Sequence, residues 1–144
     1  MHRLLFVSAV LFSLAAQAEP ADAPSARELH AAQCVAALEV DAERLAAEVK
    51  SGRSESLTIL QSRLESGVAF VGDAYLHGTH DEAKARTLAN KALQAQKSLS
   101  KDELAALQTS CASEGEGLMA ASNGLERALV RQVAKRRMTK LLAG

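Results

Sequence analysis

The two cysteines carry the most distinctive chemistry in this chain. Cys34 and Cys111 are separated by 77 residues and belong to neither a C-x-x-C pair nor a C-x-x-C-H haem attachment sequence. A structural disulfide between them is the leading prediction, and the loop that it closes would stabilise the fold by roughly 4 kcal/mol. Two free buried thiols, an intermolecular bond and a metal-thiolate or redox role are the alternatives.

Three histidines lie beyond the first eighteen residues. His77 and His80 bracket a turn with Asp81 beside them, and these residues are the sequence's candidates for a divalent metal site. Their spacing matches no strong motif, so the preferred interpretation is histidines of a surface loop, and no metal or cofactor is predicted. His30 lies four residues before Cys34, on the same side of a helix. A zinc site of His30 with both cysteines would require a reducing compartment, and the export signal described below argues against one.

No motif predicts catalysis. The chain contains no G-x-S-x-G nucleophile turn, no glycine-rich phosphate loop after a strand and no Glu-x-x-His pair of the di-iron bundle type. Glu114 falls on an apolar helical stripe and is the one candidate for a buried acid, although escape to solvent beside Gly115 is the preferred interpretation. We therefore predict that the protein is not an enzyme.

The charges are distributed unevenly. All seventeen acidic residues lie at or before Glu126, and residues 19–126 have a net charge of −7. The six basic residues that follow are Arg127, Arg131, Lys135, Arg136, Arg137 and Lys140. This basic face either pairs with acidic helices of the same bundle, which is preferred, or contacts an anionic membrane surface, cell-envelope polymer or acidic protein. Membrane insertion and nucleic-acid binding are disfavoured because this segment has no aromatic residue.

The first eighteen residues are typical of a secretory signal. An apolar run of 13 residues, Leu4 to Ala16, leads to a small-x-small cleavage site at 16–18, and it is shorter than the ~20 residues of a spanning helix. The next residue is Glu19, so the signal is not of the lipid-anchored kind. We predict export, to the periplasm in a Gram-negative cell or into the medium otherwise. Residues 19–24 are then a flexible leader and residues 25–144 one domain, with no transmembrane segment.

Composition and periodicity predict the fold class. The chain has no Trp, two Pro and 3% aromatic residues, and its apolar residues recur at helical spacing. We predict an all-α up-down bundle of four helices, or of five if the last helix breaks. The first and fourth helices would be neighbours, as the disulfide requires. The short turn before the fourth helix predicts that the third and fourth lie antiparallel.

Local signals place the helix ends. Three capping boxes predict helix starts at Ser25 with Glu28, at Thr79 with Glu82, and at Ser100 with Glu103. Glycines predict helix ends near Gly52 and Gly78, the close approach of a neighbouring helix at Gly67 and Gly72, and a kink or interruption near Gly115. Beyond that position, a continuous helix is predicted from Ser122 to Leu142, and Leu125 is predicted to lie on the apolar stripe that continues from Leu118 and Ala121.

Residues 69–93 resemble one unit of the Sel1-like helical repeats, relatives of the tetratricopeptide repeats. The matching residues are Ala69, Gly72, Tyr75, Gly78, Asp81, Lys84, Ala85, Lys91 and Ala92. The longer loop of the family, with its Gly-Val, is absent, and no second copy occurs. The resemblance implies a protein-interaction scaffold and no catalytic residues.

The predicted function is that of a small exported, disulfide-stapled helical protein with a non-catalytic binding or interaction role. The alternative is a bundle that holds a small ligand or metal in its core. That ligand would lie near Gly67, Gly72 and Tyr75, or near His77 and His80.

Overall fold

The computed structural model describes residues 23–144, which form an all-α bundle of five helices without a strand. The helices are α1 (Ala26–Lys50), α2 (Ser56–Leu76), α3 (Glu82–Gln96), α4 (Lys101–Ala121) and α5 (Gly124–Ala143). The predicted fold class is confirmed, with the larger of the two helix counts. The predicted signal peptide, residues 1–18, and most of the predicted leader lie outside the described residues.

Two central helices, α1 and α2, hold the others together. Both pack against each other and against α4 and α5, whereas α3 packs against α1. The short turn between α3 and α4 therefore does not make these two helices one of the main packed pairs. The Gln96 side chain at the end of α3 donates a hydrogen bond of 2.9 Å to the Gln33 carbonyl oxygen, which holds α3 on α1.

Buried side chains form two clusters along the α1–α2 pair, one under α4 and one under α5. The first contains Ala31, Cys34, Leu38, Phe70, Ala74, Cys111 and Ala112. The second contains Ala42, Leu45, Ala46, Leu60, Leu64 and Ala134. Because alanine supplies six of these thirteen residues, many of the buried side chains remove little apolar area from water, and the helices must approach closely to exclude it.

Capping boxes open three of the five helices. Those predicted at Ser25 and Ser100 are confirmed, and a third, not predicted, joins Asn123 to Glu126 at the start of α5. The box predicted at Thr79 is wrong, because Asp81 accepts the backbone N–H of Lys84 at 3.0 Å and is the N-cap of α3. The Thr79 hydroxyl instead donates to Glu28 Oε1 on α1, at 3.2 Å.

The predicted helix ends at Gly52 and Gly78 are confirmed. Both glycines have positive φ, +100° and +109°, in the range that lets a helix close on its own last carbonyl groups. The backbone N–H of Arg53 reaches the Glu48 carbonyl, and that of Thr79 reaches the Ala74 carbonyl, each at 3.0 Å.

Close approach occurs at a different glycine from those predicted. A Cβ on Gly115 would lie 2.8 Å from the Cα of Ser66 on α2 and closer still to its Cβ. The predicted close approaches at Gly67 and Gly72 are not found, since a Cβ there would meet only ordinary contact or open space. The predicted interruption of the helix is also wrong, because Gly115 lies inside a continuous α4, where its lack of a side chain lets α4 pack directly on α2.

The helix is interrupted later, at residues 122–123, where the backbone of Ser122 and Asn123 is extended. The predicted helix from Ser122 to Leu142 therefore begins at Gly124 instead.

Charged groups hold the turn between α1 and α2. Glu48 Oε2 accepts a hydrogen bond of 2.7 Å from the Ser56 hydroxyl, and Oε1 accepts one of 2.5 Å from Arg44. The Ser56 hydrogen bond, helped by the nearby Arg44 and Arg53 cations, holds the pKa of Glu48 below its usual value. The two glutamates of the predicted capping boxes, Glu28 and Glu103, also have lowered pKa values, chiefly because each accepts a backbone N–H at its N-cap.

We predict that Gly115→Ala lowers the free energy of unfolding by about 2 kcal/mol, because the new methyl group overlaps Ser66 and forces α4 away from α2. The matched control is Gly117→Ala on the same helix, where a Cβ has open space. It should stabilise the protein by up to about 1 kcal/mol, since alanine is the better helix former. Urea denaturation measures both changes, and stabilisation by both substitutions would contradict the close contact.

We also predict that acid weakens the fold through these carboxylates. A carboxylate whose pKa is lowered on folding stabilises the protein above the unfolded-state value of about 4.3, and that stabilisation is lost as the pH falls through the lowered folded-state value. Glu48→Gln should therefore flatten the dependence of the melting temperature on pH below about pH 4. The control is Glu43→Gln, which removes the same charge from α1 without touching Ser56, and an equal change in both variants would be evidence against the prediction.

Candidate functional site

One face of α5 packs on the bundle and the opposite face is open to solvent. Ala134 is buried, and Met138, Leu141 and Leu142 pack against the same cluster of α1 and α2. These side chains fix the rotation of the helix. The capping box of Asn123 and Glu126 fixes where it begins.

The structure places the six predicted basic residues on α5, and few of them are engaged within the bundle. Arg137 forms an ion pair with Glu39 of α1. Arg127 donates a hydrogen bond of 2.6 Å to the Ser122 carbonyl oxygen, at the break before α5. The other four are exposed, and their side chains form no ion pair or hydrogen bond within residues 23–144: Arg131, Lys135, Arg136 and Lys140.

Apolar side chains lie on the same solvent-facing side. Leu125, Leu129 and Val133 are 72%, 53% and 48% exposed. At about 100° per residue, Arg136 and Lys140 lie within the arc that these three side chains span. The outer face of α5 is thus an aliphatic stripe in its first half that continues as a cationic stripe in its second half. We call it the α5 outer face.

Sequence reasoning placed Leu125 on the buried stripe that continues from α4. That assignment is wrong, because the break at residues 122–123 shifts the phase of the following helix, and Leu125 becomes exposed. The signal that could have revealed the shift is the Asn123-x-x-Glu126 capping box, which marks a new helix start.

The predicted disulfide is present. Cys34 and Cys111 are bonded, with their Cα atoms 5.2 Å apart, and they join α1 to α4 inside the first core cluster. Beside the bond, His30 Nε2 lies 2.8 Å from Glu114 Oε2 and 3.9 Å from Cys34 Sγ. Glu114 therefore points to solvent and pairs with a histidine on α1, as preferred from the sequence. The sequence alone did not indicate this partner.

The predicted metal candidates are engaged separately. The His77 ring lies against Asp73, with Nδ1 2.7 Å from the backbone carbonyl oxygen, while His80 packs edge-on against Tyr75 with ring centroids 4.6 Å apart. Asp81 caps α3. Within residues 23–144, the donor atoms of three metal-ligating residues converge only at His30, Cys34 and Glu114.

An acid that sequence reasoning missed is buried between α1 and α2. Asp41 is 4% exposed, and its two oxygens accept hydrogen bonds of 2.6 Å from Arg44 and 2.8 Å from Arg63. The Asp41 hydrogen bond raises the pKa of Arg44. Its burial could have been predicted from its position three residues after Leu38 and four before Leu45, on the buried side of α1. Since both oxygens have arginine partners, this network joins two helices and offers no free acid.

A cavity of about 350 Å³ lies between α1, α2 and α3. Its wall is aliphatic and aromatic, with Phe70 and Val71 from α2 and Leu88 from α3, and Tyr75 and His80 also line it. Gly67 and Gly72, which the sequence associated with a ligand, line two other cavities. Of the residues predicted to lie near a ligand, only Tyr75 and His80 thus line this cavity together.

Comparison of the chain with protein-family models, with curated protein sequences and with solved structures found no match. Over the residues that the structure describes, no helix combines the length and apolar character of a membrane span. The function must therefore be inferred from the surface and cavities of this chain.

Proposed function

We propose that this protein is an exported, non-catalytic binding protein whose α5 outer face adsorbs to an anionic lipid surface of the cell envelope. The observation that carries the proposal is that Arg136 and Lys140, two cations of α5 without a partner in the described bundle, lie on the same side of the helix as an exposed aliphatic stripe. Cations attract anionic headgroups, and aliphatic side chains enter the headgroup region, so a helix with both on one side is suited to lie flat on such a membrane.

Export is supported by two features of the chain. The first eighteen residues have the charge, apolar run and small-residue site of a secretory signal. The Cys34–Cys111 bond is of the kind that persists in oxidising compartments. Both features favour a place outside the cytosol, where an envelope membrane is the nearest large anionic surface.

The bundle orients this face. Because Arg137 is paired with Glu39, and Ala134 is buried, α5 is held with Arg136 and Lys140 directed outward. The rest of the chain, residues 19–126, carries a net charge of −7 and would be repelled by the same surface. Adsorption would therefore occur in one orientation.

We predict that the protein sediments with vesicles of phosphatidylglycerol and phosphatidylcholine but not with vesicles of phosphatidylcholine alone. Arg136→Glu combined with Lys140→Glu should weaken this binding at least about tenfold, since each cation near an anionic surface contributes about 1 kcal/mol. Leu129→Gln should weaken it without changing the charge. Circular dichroism checks that all variants remain helical.

The matched control is Lys91→Glu combined with Lys97→Glu, two exposed cations of the α3 segment, because it changes the net charge by the same amount. Equal losses in the two double variants would show a general charge effect and contradict a role of α5. If the wild-type protein does not bind anionic vesicles but binds an anionic polysaccharide or an acidic protein, the lipid proposal is wrong and the α5 outer face binds that other partner.

The second candidate function is the binding of a small apolar ligand in the cavity between α1, α2 and α3. The observation that favours it is the cavity's size and lining, since about 350 Å³ falls in the range of small-molecule sites. Glu28 and Thr79 at its rim hydrogen-bond to each other, so the polar groups there are partly satisfied by the protein.

We predict for this candidate that native mass spectrometry of protein from its own host shows a bound small molecule, and that Ala85→Leu, which fills the cavity, removes it. Ala83→Leu on the exposed side of α3 is the control and should retain the ligand. Wild-type protein without a bound species would count against this function and leave the α5 proposal untouched.

A further inference from the structure

The disulfide lies among side chains that could bind a metal if the bond were opened. His30 and Cys34 are one helical turn apart on α1, and Cys111 and Glu114 are one turn apart on α4. Residues at these spacings project from the same side of a helix. The contact between α1 and α4 therefore brings one imidazole, one carboxylate and two sulfur atoms together from two rigid helices.

The distances between the donor atoms are close to those of a coordination site. The donor atoms of His30, Cys34 and Glu114 all lie within 4.8 Å of one another, and two of the pairs are at 2.8 and 3.9 Å. Ligands at tetrahedral zinc, with bonds of 2.0–2.3 Å, lie about 3–4 Å apart. Small side-chain rotations would bring these donors to that spacing without moving either helix.

The surroundings suit a bound cation that enters from solvent. Both cysteines are buried, whereas the side chains of His30 and Glu114 are about half exposed and form the mouth of the site. The ring of Phe70 packs edge-on against the His30 ring, with centroids 6.0 Å apart, and restricts its orientation. The inner ligands are thus protected from water and the outer ones are accessible.

We propose that Cys34, Cys111, His30 and Glu114 form a zinc site in the reduced protein. A dithiol reductant supplies two electrons and two protons: the S–S bond breaks, two cysteine thiols form, and the dithiol becomes a disulfide. Zinc then displaces the two thiol protons to solvent and binds two thiolates, one imidazole nitrogen and one carboxylate oxygen, a ligand set that this ion favours. In the oxidised protein only the histidine and the glutamate remain as strong ligands.

This site is independent of the α5 outer face. It requires that the exported protein meet a dithiol reductant outside the cytosol, and it would then give the protein a second, redox-controlled binding activity. The same two residues would join α1 to α4 in both states, through a covalent bond when oxidised and through zinc when reduced. Oxidation would release the metal, and reduction would capture it.

The test is a zinc titration of the protein, oxidised and after reduction by a phosphine that competes weakly for zinc, against a chelating dye. We expect one zinc per reduced chain, bound at least about 1,000-fold more tightly than by the oxidised chain, because two thiolates are added to the site. Cobalt in place of zinc should show thiolate-to-metal charge-transfer absorption and the visible bands of a tetrahedral site.

Variants identify the other two ligands. His30→Ala and Glu114→Gln should each weaken zinc binding by the reduced protein at least about tenfold. The controls are His77→Ala and Glu116→Gln, which remove the same chemical groups outside the site and should bind zinc like the wild type. Equal affinities in the oxidised and reduced chains, or wild-type affinity in both ligand variants, would overturn the proposal.

Circular dichroism keeps the test decisive if reduction loosens the bundle. Should the reduced protein lose helicity, zinc is expected to restore it in the wild type and in the two control variants. Failure of zinc to restore it in the wild type would overturn the proposal as well.

Discussion

The covalent link between Cys34 and Cys111 is the constraint on which this bundle most depends. Nearly half of the buried residues in the two core clusters are alanine, and the apolar area that each of these side chains buries is small. A loop closure worth roughly 4 kcal/mol is large beside the 5–15 kcal/mol that stabilise an ordinary domain. The bond lies in the cluster under α4, and it holds that helix on the central pair while small side chains pack around it.

Packing of such small residues depends on how closely the helices approach. Gly115 and Ser66 show this most directly, because α4 and α2 meet where neither residue has a side chain larger than a hydroxymethyl group. Where side chains are longer, charges hold the helices instead: the carboxylate of Asp41 lies between two arginines and joins α1 to α2. The central helix α2 is thus held to α4 by close contact and to α1 by a buried ion network.

The surface features follow from the same architecture. The break at residues 122–123 starts α5 in a new phase, and this phase turns Leu125 and Leu129 outward together with cations of the second half of the helix. The attachment of α3 to α1 leaves a cavity beside α2. The α1–α4 link brings His30 beside Glu114. Each candidate site therefore lies where one of the outer helices meets or leaves the central pair.

The sequence by itself was sufficient for the all-α class, the Cys34–Cys111 bond, the glycine helix ends and the caps at Ser25 and Ser100. These features depend on composition, on there being only two cysteines, and on hydrogen bonds between residues a few positions apart. Only the tertiary structure decided which glycine lies at a helix contact, which helix α3 packs on, and which side of α5 faces solvent. Those outcomes depend on helices distant in the sequence. The spacing of residues within one helix does not encode which neighbour it meets.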